Sequence, residues 1–115
     1  MAYSEELANR IRETIQDLPD VEEKKMFRGV TFMVDGKMCI SVSGDRIMAR
    51  IDPALHDELV EKPGCNIVTM AGRPNRGFLY VEAFAIRNKN DLDYWIGLAL
   101  EYNPKAKASV KKGKK

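Results

Sequence analysis

The residue types that most often carry chemistry are scarce in this chain of 115 residues. It has one histidine, His56, and two cysteines, Cys39 and Cys65. The cysteines lack metal-type spacing, and a single histidine does not complete a zinc site with them. Two cysteines are also too few for a disulfide framework, so in a reducing compartment they read as small buried hydrophobes. Neither a metal nor a cofactor is expected. No apolar run approaches the roughly 18–20 residues of a membrane-spanning helix. The opening Met-Ala-Tyr-Ser-Glu-Glu lacks the basic and apolar regions of a signal peptide. A cytoplasmic protein without a membrane partner is the expectation. Walker A and Rossmann fingerprints are missing, and the glycines of 72–77 are too few, with no helix after them, to cradle phosphate.

Catalytic groups are equally sparse. His56 falls in a short charged helix beside Asp57 and Glu58, with no Ser or Cys nucleophile at local spacing. It reads as a surface histidine rather than a general base. Glu5, Glu6, Glu22 and Glu23 sit at a helix start and in a charged connection, where carboxylates are solvated. No enzyme is expected.

What is present is an ordinary globular composition, 44% hydrophobic and 31% charged, in a length that suits one domain. The charge is unevenly placed. Six of the 19 basic residues are the lysines of segment 105–115, which holds no acid. The other 13 face all 17 acids, so residues 1–104 carry a formal −4. A mildly acidic body, 1–104, and a lysine-rich tail, 105–115, too polar to fold alone, are expected.

Within the body, Ser4 caps an amphipathic helix over residues 4–18 whose stripe is Leu7, Ile11, Ile15 and Leu18, with Pro19 at its end. Asp20 to Lys25 reads as a charged connection. Three strands follow, in which Val30, Phe32 and Val34, then Met38, Ile40 and Val42, then Ile47, Ala49 and Ile51 alternate with other residues. Asp35-Gly36 and Gly44-Asp45 are the turns between them, because tight hairpins need positive φ at such positions. Met33, Cys39 and Met48 fall on the opposite face, which is either a covered second face or an exposed patch. Asp52-Pro53 starts a short helix that Pro63-Gly64 stops. Residues 66–70 and 77–82 read as strands joined by a loop, Ala71 to Gly77. A last helix begins near Asn90, with an Asn90/Asp93 capping pair and a Leu92, Trp95, Ile96 and Ala99 stripe. The expected fold is α+β in two layers: an antiparallel five-stranded sheet and three helices, in order α-β-β-β-α-β-β-α.

The run Lys25-Met-Phe-Arg-Gly-Val-Thr-Phe-Met-Val-Asp-Gly-Lys-Met-Cys39 resembles the N-terminal domain of the TfoX/Sxy family. That hairpin typically reads as a basic residue, Met-Phe-Gly-Gly, an aromatic-containing strand and Asp/Asn-Gly. Gly72-Arg-Pro-Asn-Arg-Gly-Phe-Leu-Tyr-Val81 and the Trp95-bearing helix fit the same layout, so the resemblance spans roughly residues 3–102. Arg28 departs from it, adding a charge and a Cβ where the first glycine usually stands. The resemblance implies a part in bacterial competence and transcription regulation, with no established catalysis. Longer members add a C-terminal helical domain; here a lysine tail takes its place, so a stand-alone N-terminal domain is expected.

Two kinds of partner follow. Lys24, Lys25 and Arg28 at the meander entrance, Arg73 and Arg76 in the loop, and tail residues Lys105, Lys107, Lys111, Lys112, Lys114 and Lys115 are candidate phosphate contacts. Binding of that kind is weak, salt-sensitive and indifferent to sequence. For Arg73 and Arg76 a merely solvated loop remains open. Alternatively, Phe27, Met33 and Met48, with Met26 and Met38 nearby, offer adaptable contacts to a protein partner or to a second copy. The same residues suit an ordinary core.

Overall fold

A computed structural model describes residues 3–26, 29–70 and 72–106, with Met26 and Met70 by backbone alone. Helix α1, Glu5–Ile15, starts where Ser4 Oγ accepts the Leu7 amide at 3.1 Å, with Glu5 and Glu6 in the positive first turn. It buries Leu7, Ala8, Ile11 and Ile15 and ends three residues sooner than the stripe suggested, so Leu18 is exposed.

Six strands, not five, form one antiparallel sheet in the order β1-β2-β3-β4-β6-β5. They are β1 (Val21–Met26), β2 (Gly29–Val34), β3 (Lys37–Ser43), β4 (Arg46–Arg50), β5 (Cys65–Met70) and β6 (Arg73–Val81). The added strand is the segment expected to be a charged connection. Val21-Glu-Glu-Lys-Lys-Met has no apolar alternation because it is an edge strand: among the described strands it pairs with β2 alone, from Val21↔Val34 to Met26↔Gly29. Its charged side chains guard the sheet margin. Asp35 and Gly36 both take positive φ, 57° and 76°, as a tight hairpin turn requires.

Between β2 and β3 the register slips at Cys39. Phe32 pairs with Ile40 but Met33 with Met38, leaving Cys39 as the extra residue. A bulge of this kind turns side chains over. Cys39 packs with Val34 and Ala99 toward the helices, and Met38 joins Met33, Met48 and Val68 on the other face. Simple alternation put these two residues the other way round.

The fifth and sixth strands also depart from expectation. The run from Arg73 to Gly77 was expected to be loop but lies within β6, pairing Met70↔Arg73 and Thr69↔Pro74. Pro74 is tolerated because β4 pairs only with Phe78 to Val81, so β6 has an open side there. The loop-like character survives as an excursion: Asn75 to Phe78 lie opposite Val68 alone. At its apex Gly77, φ 95°, accepts the Ile51 amide at 2.7 Å and donates to His56 Nδ1 at 3.3 Å. His56 is therefore not a surface residue; it is 5% exposed and fastens this crossing.

After β4, Asp52 caps a 3-10 turn, Pro53–Leu55, that runs into a single helical turn, α2 (His56–Leu59). Helix α3, Lys89–Tyr102, is capped by Asn88 rather than Asn90, its Oδ1 accepting the Asp91 amide. The element order is thus α-β-β-β-β-α-β-β-α. Helix α3 buries Leu92, Trp95, Ile96 and Ala99, as its spacing predicts. Its end is clipped to the β2–β3 hairpin: Asn103 Nδ2 donates to Val34 O at 3.1 Å, and Lys37 Nζ to Asn103 O at 3.3 Å.

One face of the sheet forms the main core with all three helices. Val30, Phe32, Ile40, Val42, Ile47, Ala49 and Leu79 meet Leu7, Ile11, Leu59, Leu92 and Trp95 there. Each of the larger chains contributes about 1.5–3 kcal/mol on burial. The opposite face carries the methionine cluster, to which no helical residue belongs among the described residues. Phe78 and Tyr80 pack against it, and the Arg46 and Arg50 guanidinium groups stand 3.6 and 5.3 Å from the Tyr80 and Phe78 ring centres. These cation–π contacts roof the face without a helix.

Arg12 of α1 holds Glu23 of β1 through both carboxylate oxygens, at 2.5 and 2.8 Å. That bond holds the Glu23 carboxyl below its ordinary value of 4.5. A depressed carboxylate value means the contribution is present above 4.5 and lost as pH falls through the lower folded value. Both groups are over a third exposed, so Glu23→Gln is expected to cost at most about 1 kcal/mol at pH 7. Denaturant melts as a function of pH should show wild type and variant converging as the solution is acidified. A second prediction concerns Gly29, where a Cβ would stand 1.8 Å from Val42 O. Gly29→Ala should destabilise the domain by about 3 kcal/mol in equilibrium unfolding.

Candidate interaction surface

Among the described residues the candidate cations are dispersed rather than gathered. Lys24 and Lys25 are successive residues of β1 and so point to opposite faces, beside Glu22 and Glu23. β6, which carries Arg73 and Arg76, lies four strand positions away, roughly 19 Å across the sheet. Arg76 is engaged within the molecule, by Asp57 Oδ1 at 2.9 Å and Pro53 O at 3.2 Å. Arg73 is exposed at the β5–β6 hairpin. Lys105 lines a groove with Asp52 and Glu101, both acids. Arg28, Lys107, Lys111, Lys112, Lys114 and Lys115 lie outside the described residues, as does Phe27.

Met33 and Met48 are brought together, but at 2% and 3% exposure they belong to the second cluster and are covered in the folded chain. Of the two readings open for that face, the structure shows the covered one. Thr31 and Ser41, paired across β2 and β3, are buried on it with hydroxyls that have no hydrogen-bond partner among the described residues.

Apart from Leu18, the large apolar side chains exposed among the described residues lie elsewhere, on and near the β5 edge. β5 reads Cys65-Asn-Ile-Val-Thr-Met70, without a charge or a proline, and pairs with β6 alone among the described strands. Ile67 on this strand is 48% exposed. Immediately before it Gly64, φ 83°, lets the Phe84 ring approach: a Cβ there would be 3.1 Å from Phe84 Cζ and 2.7 Å from Ala85 Cβ. The Glu82 amide donates to Gly64 O at 2.8 Å and fixes the 3-10 turn Ala83–Ile86 that presents Phe84, itself 57% exposed. Across from it Tyr94, 45% exposed, stands edge-on to Trp95 at 5.4 Å with Lys62 Nζ 5.3 Å from its ring centre. Phe84, Tyr94 and Trp95 line a groove of about 310 Å³ together with Pro63, Ala85, Lys62 and Asp91. The sequence signal for this surface was an uncharged strand beside aromatics off the helical stripe; only the packing shows that Phe84 and Tyr94 stay outside the core.

Burial pushes the Cys39 thiol up to about 12, against a small opposing effect of Arg50. Cys65 is pushed up too, by burial that Lys62 partly offsets. No group of three or more His, Cys, Asp or Glu side chains among the described residues is placed to hold a metal ion. Among those residues no helix is long and apolar enough to cross a membrane.

A small α+β domain with helices on one sheet face and an exposed apolar margin is the class that this architecture defines. The chain belongs to the TfoX N-terminal domain family, whose match runs over residues 13–102. No curated protein and no solved structure matches it.

The thiols supply a direct check on the local packing. At pH 8 a thiol-specific reagent should label Cys65 slowly in the native protein and leave Cys39 unlabelled, since a thiol near 12 is almost wholly protonated. Both should react within seconds to minutes once denatured, read by mass spectrometry of the labelled peptides.

Proposed function

We propose that the chain is a non-enzymatic bacterial regulatory or accessory domain that works by contact with other macromolecules, in the competence and transcription setting its family suggests. Family membership supports the regulatory setting. The observation that carries the contact reading is the β5 margin, where Ile67, Phe84 and Tyr94 are exposed beside an uncharged strand edge. The two thiols, by contrast, are raised by burial, and His56 is spent on the Gly77 amide.

In this proposal the body makes the protein contacts and the six tail lysines add weak association with nucleic acid. The dispersal of Lys24, Lys25, Arg73 and Arg76 favours the tail over the body as the electrostatic element. The test is a salt titration of binding to mixed-sequence DNA and RNA, with the full chain and with residues 1–104. The full chain should bind DNA with log affinity falling by about 0.9 per phosphate neutralised for each decade of salt. Residues 1–104 should not bind. Equal binding by both would move the electrostatic contacts to the body; binding by neither removes nucleic acid from the proposal and leaves protein contact.

A further inference from the structure

We propose that the partner of the β5 edge is a second copy of this chain, joined by antiparallel β5–β5 pairing across a two-fold axis. The inference rests on the contact-domain reading and names its partner.

The two margins of the sheet are chemically opposite. β1 exposes Glu22, Glu23, Lys24 and Lys25 in succession, a pattern that discourages strand addition. β5 has no charged residue, no proline and three β-branched residues, Ile67, Val68 and Thr69. Such a strand presents unpaired amides and carbonyls with nothing to repel a further strand. The register excursion of this hairpin is in β6, on the inner side, so it does not interrupt the free margin of β5.

The asymmetry also selects the partner strand. Adding β5 to β1 of another copy would lay an uncharged strand along four charges and, repeated, would make an open fibre. Pairing β5 with its own copy is closed and isologous, so growth stops at two. In an antiparallel pair, facing residues share a side of the sheet. A register centred on Ile67 meets that condition and sets the two Ile67 side chains against each other, covering an aliphatic chain now half in water. Both lie on the helix side of the sheet, since Ile67 pairs with Leu79 of the main core. Phe84 borders the same margin through Gly64, three residues before Ile67, and shares a groove with Tyr94. A six-residue edge alone falls short of the about 1,200 Å² of a specific interface, and the aromatic border contributed by each copy extends it.

The test is sedimentation equilibrium of the full chain from micromolar to millimolar concentration. A reversible approach to twice the 13.0 kDa monomer mass is expected. Ile67→Lys sets two like charges opposite each other and should weaken the dimer at least about tenfold. The exposure of Ile67 makes the variant's folding checkable by circular dichroism. Lys24→Glu on the other edge should leave the dimer unchanged. As an independent readout, Ile67→Cys in a Cys65→Ser background should cross-link into a dimer with diamide at concentrations where the parent associates. A chain that stays monomeric throughout, or an Ile67→Lys chain that dimerises like wild type without Ile67→Cys cross-linking, overturns the proposal. Either result leaves contact with other macromolecules to its own titration.

Discussion

Between Gly29 and Val42 the backbones of β2 and β3 come so close that no side chain fits, and at the other end of the same pair Cys39 steps out of register. The rest of the molecule depends on that pairing. The close approach ties the start of β2 to β3 in the middle of the sheet. The bulge sends Cys39 toward Val34 and Ala99, where the end of α3 docks, and releases Met38 to the opposite face. Lys37 and Asn103 then hold the α3 terminus to the same hairpin. A regular β2–β3 ladder would point Cys39 away from α3 and Met38 into the helix-side core, and both clusters would have to repack.

The face without helices explains how so small a domain buries both sides of its central strands. Met33, Met38, Met48 and Val68 are covered by Phe78 and Tyr80, whose rings are in turn capped by Arg46 and Arg50. Methionine suits the place because its unbranched thioether fills irregular gaps between strands. Arginine suits it because the guanidinium shields a ring while staying wet at its edge. Glu82 adds to this roof, accepting from Arg46 Nη1 at 3.2 Å and from Asn66 Nδ2 at 3.1 Å.

Much of this architecture was legible in the residues. Ser4, Asp35-Gly36 and Asp52-Pro53 each signalled a local geometry that the backbone adopts, and the Leu92-Trp95-Ile96-Ala99 stripe was read correctly. What escaped were features set by neighbours. β1 has no apolar pattern because one margin of the sheet needs charge more than burial. The stretch through Pro74 is strand because one flank of β6 is open there. Cys39 and Met38 exchanged faces through a bulge that period-two counting does not register. His56 reads as a solvated surface residue in the sequence because its acceptor role depends on Gly77, distant along the chain. For the candidate site, the sequence names Lys24, Lys25, Arg73 and Arg76 but not the distance that the sheet puts between them. The adaptability of Met33 and Met48 serves the inside of the sheet, while the exposure of Ile67, Phe84 and Tyr94 is set by packing that residue spacing does not encode.

The surface left over is divided between a charged margin and an apolar one, and the account's central claim is that the apolar β5 margin makes the contacts. Amide hydrogen exchange across the sheet, followed with protein concentration, tests it most directly. The account predicts that β5 amides exchange more slowly as concentration rises, while β1 amides, on the charged margin, keep one rate throughout. Exchange in β5 that does not change with concentration, or slows equally on both margins, would contradict it.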